Sequence, residues 1–260
     1  VLMGAPIIYI VCHAFKPMDE LFAFPPKFFV SNPSGINFTN LFQQAAGSTV
    51  PFSRYVFNSL VVTVAVVVLS IMISTMAAFA LSKMKFRLKG PMMEINNLAL
   101  MFVATAVVIP RYLTISAIGI LDTWFAHILP LIAMPVCLFL IKQFMDQVPD
   151  SLLEAAQLEG ANAFTIYLKI ILPMVKPAIA TGAILSFQQV WNNTETSNLF
   201  TSTESIRTLA FYMNTLSGVG TVQGQGMAAA AALIMFVPNL LLFIVSQSSV
   251  MNTMAHSGLK

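Results

Sequence analysis

The chain has 260 residues, of which 57% are hydrophobic and 9% charged, with a net charge of +3. Soluble domains carry about 25% charged residues, so this composition excludes a soluble globular protein, and the small, dispersed positive charge excludes a nucleic-acid binder. Neither a GxxxxGK[ST] phosphate loop nor an HExxH zinc motif occurs, so the chain is not its own ATPase and carries no metal centre of that type.

A helix needs about 20 apolar residues to cross the hydrocarbon layer of a bilayer. The first apolar stretch, Val1–Phe15, falls short of that and reads as part of a helix truncated at its start. "FKPMDELFAFPPKFF" follows, where Pro17, Pro25 and Pro26 favour an extended, polyproline-like path. Full stretches then come at Tyr55–Leu81, Met92–Pro110, Phe125–Phe144, Ala178–Trp191 with its flanks, and Met227–Val250. The pattern predicts an all-α integral membrane protein with six transmembrane helices in a single domain over residues 1–260. Between the last two stretches, Asn192–Gln225 is rich in Ser, Thr, Asn and Gly, long enough to be functional or mobile. The Gly220/Gly224 pair in it lies in a polar stretch, so it does not read as a helix-dimer motif.

Orientation follows from the basic residues. Lys83, Lys85, Arg87 and Lys89 crowd one short connection, which marks it as cytoplasmic, and alternation places 143–177 and both termini on the same side. His13, His127 and His256 have no ligand spacing, and Cys12 and Cys137, each inside an apolar run, read as buried free thiols. Thr63, Ser70, Ser74 and Thr75 lie within the second stretch, where hydroxyls bond their own helix and small side chains favour packing.

One segment departs from the apolar pattern. In "SLLEAAQLEGANAFTIYLKIILP", residues 151–173, Ser151 and Glu154 have the spacing of a capping box. Helix formers continue to Glu159, and Gly160 can take positive φ where the helix stops. Asn162 is placed to cap a second helix, with Phe164, Tyr167, Leu168 and Ile171 along one face. Leu152, Ala155 and Ala156 share a side of the first helix, small enough to admit another backbone closely. Such a short helix without catalytic groups is either scaffold or docking surface.

Glu154-Ala155-Ala156, Gly160, Ile170 and Leu172-Pro173 together reproduce the EAA signature, and on these residues the chain resembles the permeases of binding-protein-dependent ABC importers. "FKPMDELFAFPP", the second stretch and the run from Gly119 to Ala156 are similar to the maltose-type, MalG-like carbohydrate class, as is the closing "MAHSGLK". The resemblance implies the type I importer transmembrane fold, with residues 149–177 as a cytoplasmic coupling loop. Leu152, Glu154, Ala155, Ala156, Leu158, Gly160 and Ala161 would then enter a cleft of the ATPase subunit. It also implies a second permease subunit, two ABC ATPase subunits, which bind the ATP, and an extracytoplasmic solute-binding protein, in a bacterial cytoplasmic membrane. No catalytic residue and no cofactor belong to this chain on that reading. The class usually follows Trp-Asn with Asp and an aromatic, whereas this chain has Asn193-Thr194-Glu195 after Trp191-Asn192.

A sugar crossing a membrane needs hydrogen-bonding groups in place of water and flat apolar surfaces for its C–H faces. Gln188, Gln189, Trp191 and Asn192 offer both late in the fifth stretch. Asn239 follows Pro238 in the sixth, and polar residues and irregular backbone at depth face cavities. These five are the candidate substrate pathway. The alternatives are a permease for a non-sugar solute, which shares the EAA signature, and an ion-coupled secondary transporter, which would carry ionisable groups at depth.

Overall fold

The computed structural model describes residues 4–257 apart from Phe22, Pro26, Ser48, Val103 and 218–221. Gly220, in the glycine pair noted above, and the last three residues of the closing tail lie outside the described residues. Fifteen α-helices occur among the described residues, and no strand. They group into two compact units, one of Val1–Val61, Asp122–Trp124 and Trp191–Leu241, the other of Val62–Leu121, Phe125–Val190 and Leu242–Lys260.

In the first unit, α1 (Ala5–Phe15) is followed by α2 (Met18–Leu21) and α3 (Ile36–Ala46). The segment after Pro17 therefore contains a helical turn where an extended path was expected. The Pro17 carbonyl accepts from the Glu20 and Leu21 amides, and the Glu20 carboxylate accepts from the Ser31 and Asn32 amides at 2.9 and 2.7 Å. Those two amides fold the segment back on itself. Asn37 is buried and donates to the Ala14 and Lys16 carbonyls, and its side chain fills the space in front of Gly226, where a Cβ would collide with it.

The second unit is built on α4 (Phe52–Lys83), a 32-residue helix that begins in the first unit. At about 1.5 Å per residue it exceeds the thickness of the hydrocarbon layer. Its hydroxyls are consumed internally, as the sequence suggests: Ser70 bonds the Val67 carbonyl and Ser186, and Thr75 bonds the Ile71 and Met72 carbonyls and the Tyr167 hydroxyl. Cys137 is a buried free thiol, while Cys12, also free, is only half-buried.

The stretch expected as one span over Met92–Pro110 is divided. Helix α5 (Lys89–Met101) ends at an extended Phe102, and a 3-10 turn at Ala104–Val107 leads into α6 (Val108–Ile118). Pro110, which lacks an N–H, thereby sits in the first turn of α6, where no intrahelical donor is required. The next stretch consists of α7 (Trp124–Ile132) and α8 (Pro135–Asp146), bent by 41°. Pro135 drives Met134 out of the helical region to φ −118°, ψ 91°.

After α9 (Asp150–Leu158), helix α10 (Ala163–Ile166) runs through a π-turn at Tyr167–Ile171 into α11 (Leu172–Met174). The chain turns by 80° into α12 (Lys176–Trp191) and its continuation. The break falls at Val175 because Pro177 cannot donate to the Pro173 carbonyl four residues back. Gly182 of α12 faces Cys137, and a Cβ there would lie 2.6 Å from its Sγ, so the glycine is what permits the close approach.

Back in the first unit, α13 (Glu195–Leu199), a 3-10 turn at Glu204–Ile206 and α14 (Leu209–Ser217) occupy the polar stretch after Trp191, and α15 (Val222–Ser257) follows. By length and composition, Phe52–Lys83 and Gly224–Ser246 can each cross a membrane, and each of the two bent pairs adds one more crossing when its halves are counted together. Helices α1 and α6 are apolar but only 11 residues long.

Candidate functional site

Two regions hold the residues singled out by the sequence, one in each unit. In the second unit, α9 starts at Asp150 with Pro149 as N-cap and no side-chain cap. The expected Ser151–Glu154 capping box is not formed. The helix begins two residues earlier than that box requires, and Lys83 organises its start instead. The Lys83 ammonium, on a side chain only 6% exposed, donates to the Val148 carbonyl at 2.6 Å and pairs with Asp150 at 2.7 Å. That hydrogen bond, and then the charge of Lys83, hold the Asp150 carboxyl below the usual carboxylate range. Beside it, Asp146 accepts from Ser82 and Lys142, both at 2.6 Å. The end of α4 is thus clamped to the entry of α9.

The far end of α9 is a Schellman motif. The Gly160 amide donates to the Gln157 carbonyl at 3.0 Å and the Ala161 amide to the Ala156 carbonyl at 2.9 Å. Gly160 takes φ +84°, as its position in the sequence suggests. Asn162 caps the next helix by accepting from the Thr165 amide at 2.8 Å.

Leu153 and Ala156 are buried in a core with Met145, Val148, Ile166, Tyr167 and Ile171. Ala156 therefore does not belong to the outward face with Leu152 and Ala155: it seats α9 on the bundle, three residues after Leu153 on the same side. The opposite side presents Leu152, Glu154, Ala155, Leu158 and Gly160, all exposed, with Leu158 at 91%, and Ala161 is half-buried. The face expected for the second helix is also altered. Tyr167 and Ile171, at the two ends of the π-turn, face inward, whereas Phe164 and Leu168 are exposed.

The first unit holds the second region. Trp191 is buried and donates from Nε1 to the Met235 carbonyl at 3.2 Å. Asn239 donates to that same carbonyl at 3.0 Å and to Asn192 Oδ1 at 3.3 Å. Three of the five residues expected in a substrate pathway are therefore brought together, whereas Gln188 and Gln189 are exposed on α12 within the other unit. Asn192 also borders a cleft of about 380 Å³ whose other polar side chains are Thr194 and Asn214. Its apolar surface comes from Ala210, Met213, Ala228, Ala231, Ala232 and Met235. Thr194 and Asn214 were not read from the sequence, although an amide inside the apolar run "LAFYMNTL" is the kind of signal that marks a cavity in a membrane protein.

The backbone beside this cleft is pinned. Asn193 accepts from the Thr196 amide and hydroxyl at 3.0 and 2.8 Å, so the residue that replaces the usual Asp still organises a helix start. Asp122, at φ +59°, accepts from the Ser202 amide and from both the amide and the hydroxyl of Thr203, at 2.5–2.9 Å. The Thr203 hydroxyl, followed by its amide, keeps the Asp122 carboxyl below its ordinary range. Glu204 accepts from Tyr55 and Thr49, and Asn58 donates to the Ser205 and Arg207 carbonyls.

Residues 55–249 match the family model described as the inner membrane component of binding-protein-dependent transport systems. The chain belongs to this family. Over 98% of its length the permease is 26% identical to the sulfoquinovosyl glycerol transport system permease protein SmoH of Agrobacterium fabrum, covering 88% of that protein. It is 29% identical to the probable ABC transporter permease protein YurM of Bacillus subtilis, over all of this chain and 85% of the other. The trehalose transport system permease protein SugB of Mycobacterium tuberculosis is 26% identical over 98% of this chain and 92% of its own. Among solved structures, a bacterial ABC transporter involved in the import of the acidic polysaccharide alginate superposes with a TM-score of 0.81 at 22% identity. That superposition spans 95% of the permease and 90% of the other chain. The all-helical membrane fold of the type I importers is the fold of this permease.

Proposed function

We propose that the permease forms half of the transmembrane pathway of an ATP-driven importer for sugars or oligosaccharides, with α9 as its coupling helix. The observation that carries the reading is the construction of α9. One side is sunk into the bundle through Leu153 and Ala156, its entry is clamped by Lys83, and its exit is closed by Gly160, while Leu152, Ala155 and Leu158 project outward. A leucine 91% exposed at the tip of a fixed helix is an anchor without a pocket. The matching pocket belongs to an ATPase subunit, which binds and hydrolyses the ATP that this chain has no motif to hold. The sugar cargo is supported by the names of the trehalose and sulfoquinovosyl glycerol relatives.

In this reading the chain is one permease domain of six crossings with both termini in the cytoplasm of a bacterium. It works beside a second permease subunit, two ATPase subunits and an extracytoplasmic binding protein. It performs no covalent chemistry. ATP binding to the paired ATPases favours one state of the pathway and hydrolysis the other, through differential contacts made at α9.

Leu158→Asp places a charge where the anchor enters its pocket. It is expected to abolish co-purification of the ATPase subunits and sugar uptake while leaving membrane insertion and melting temperature unchanged, because the side chain is almost wholly exposed. Normal co-purification and uptake by this variant would overturn the proposal.

A further inference from the structure

The cleft beside Asn192 lies apart from α9 and has a composition that selects its occupant. Its polar side chains, Asn192, Thr194 and Asn214, are neutral amides and a hydroxyl, and none of its lining residues is charged. Its volume, about 380 Å³, falls within the range of small-molecule sites, about 300–1,000 Å³.

We infer that this cleft is a binding site for an uncharged glycosyl unit. Amides and hydroxyls exchange hydrogen bonds with sugar hydroxyls in either direction, and the alanines of α15 leave a flat apolar floor on which the C–H face of a pyranose ring can lie. Asn239 braces the rim from behind through its bond to Asn192, and its own Oδ1 is buried with no hydrogen-bond partner among the described residues. A carboxylate, sulfonate or phosphate would enter without a cation to receive it, and an unpaired anion in such surroundings is strongly disfavoured. The solved structure with the same fold belongs to an importer of an acidic polysaccharide, so this inference separates the present permease from that cargo class.

The inference rests on the sugar-import reading, but the two fail separately, since sugar binding here needs no ATPase and ATPase association needs no sugar. Saturation-transfer NMR on the full chain in nanodiscs reads weak sugar binding directly. The probes are glucose, trehalose and maltotriose, with galacturonate and glucose 6-phosphate as anionic counterparts. At least one neutral sugar is expected to show saturation transfer, and neither anion. Ala232→Phe, at an exposed position of the floor, is expected to cut the neutral signal at least threefold. Asn214→Leu, on the exposed rim, does the same without adding bulk, and melting curves confirm that both variants fold. Absence of a signal from every neutral sugar, an equal or stronger signal from an anion, or full retention in both folded variants overturns the assignment. The last result includes the case in which the cleft is merely covered by a second permease subunit.

Discussion

Gly160 ends α9 at φ +84°, and no atom lies within 4 Å of where its Cβ would stand. The restriction at this position is therefore purely one of backbone conformation. A β-branched residue pays for the left-handed geometry whatever the space around it, by about 1–2 kcal/mol, whereas Asn visits that region readily. Gly160→Val is expected to lower melting stability by that amount and to uncouple ATP hydrolysis from uptake, and Gly160→Asn to stay close to the parent in both assays. Equal behaviour of the two variants would show that bulk, not φ, governs the position. This role is legible in the sequence because a glycine after a run of helix formers has few other uses. The part played by Ala156 is not legible in the same way. An alanine beside Ala155 in a three-residue motif gives no sign of which one faces the bundle, and only the packing of Leu153 settles it.

At the scale of elements, Lys83 joins the last turn of α4 to the entry of α9. Asp150 is 76% exposed, and pairs so open to solvent contribute little to stability. The clamp is thus better suited to transmitting movement than to holding the fold. Lys83→Met is expected to leave ATPase association intact and to reduce the number of sugars imported per ATP severalfold, whereas Lys83→Arg, which preserves both charge and donors, restores most of it. An unchanged transport-to-hydrolysis ratio in Lys83→Met would remove the clamp from the coupling route. In the sequence Lys83 is one of four basic residues in a short connection and reads only as a marker of membrane side. Its acceptors lie more than 60 residues away, and no local pattern announces such a partner. The breaks within the apolar stretches are hidden for a related reason. Hydropathy recognises the apolar run Met92–Pro110 but is blind to the extended Phe102 inside it, and the prolines that bend the later runs are apolar by the same measure.

For the molecule as a whole, three carboxylates held below their ordinary range in the fold each add a small acid-sensitive contribution to stability. Asp122, Glu20 and Asp150 each have this shift, caused first by the Thr203 hydroxyl, the Ser31 amide and the Lys83 ammonium respectively. A depressed carboxyl binds its proton more readily in the unfolded chain. Its contribution is therefore complete above the unfolded value, about 3.9–4.3, and disappears as pH falls through the lower folded one. Melting temperature in detergent is expected to hold between pH 7 and 5 and to fall below pH 4. Asp122→Asn can accept only through one oxygen, so it should melt lower at neutral pH and show a shallower acid decline. A decline parallel to the parent's would mean that the staple to Ser202 and Thr203 contributes nothing measurable. The broad architecture was legible from composition and the EAA segment alone. The cleft was not, because its walls come from three stretches of chain and its most telling residues, Ala228 to Ala232, are among the least distinctive in any sequence.

The π-turn at Tyr167–Ile171 holds one residue more than an ordinary helical turn would use. Excising a residue elsewhere along these helices would swing everything beyond it by about 100°. Here a deletion would be absorbed as the wide turn relaxed to a normal one, with Ile166 and Val175 still facing inward. The permease thus keeps a spare link in its chain between α9 and α12, and its length at that joint is negotiable.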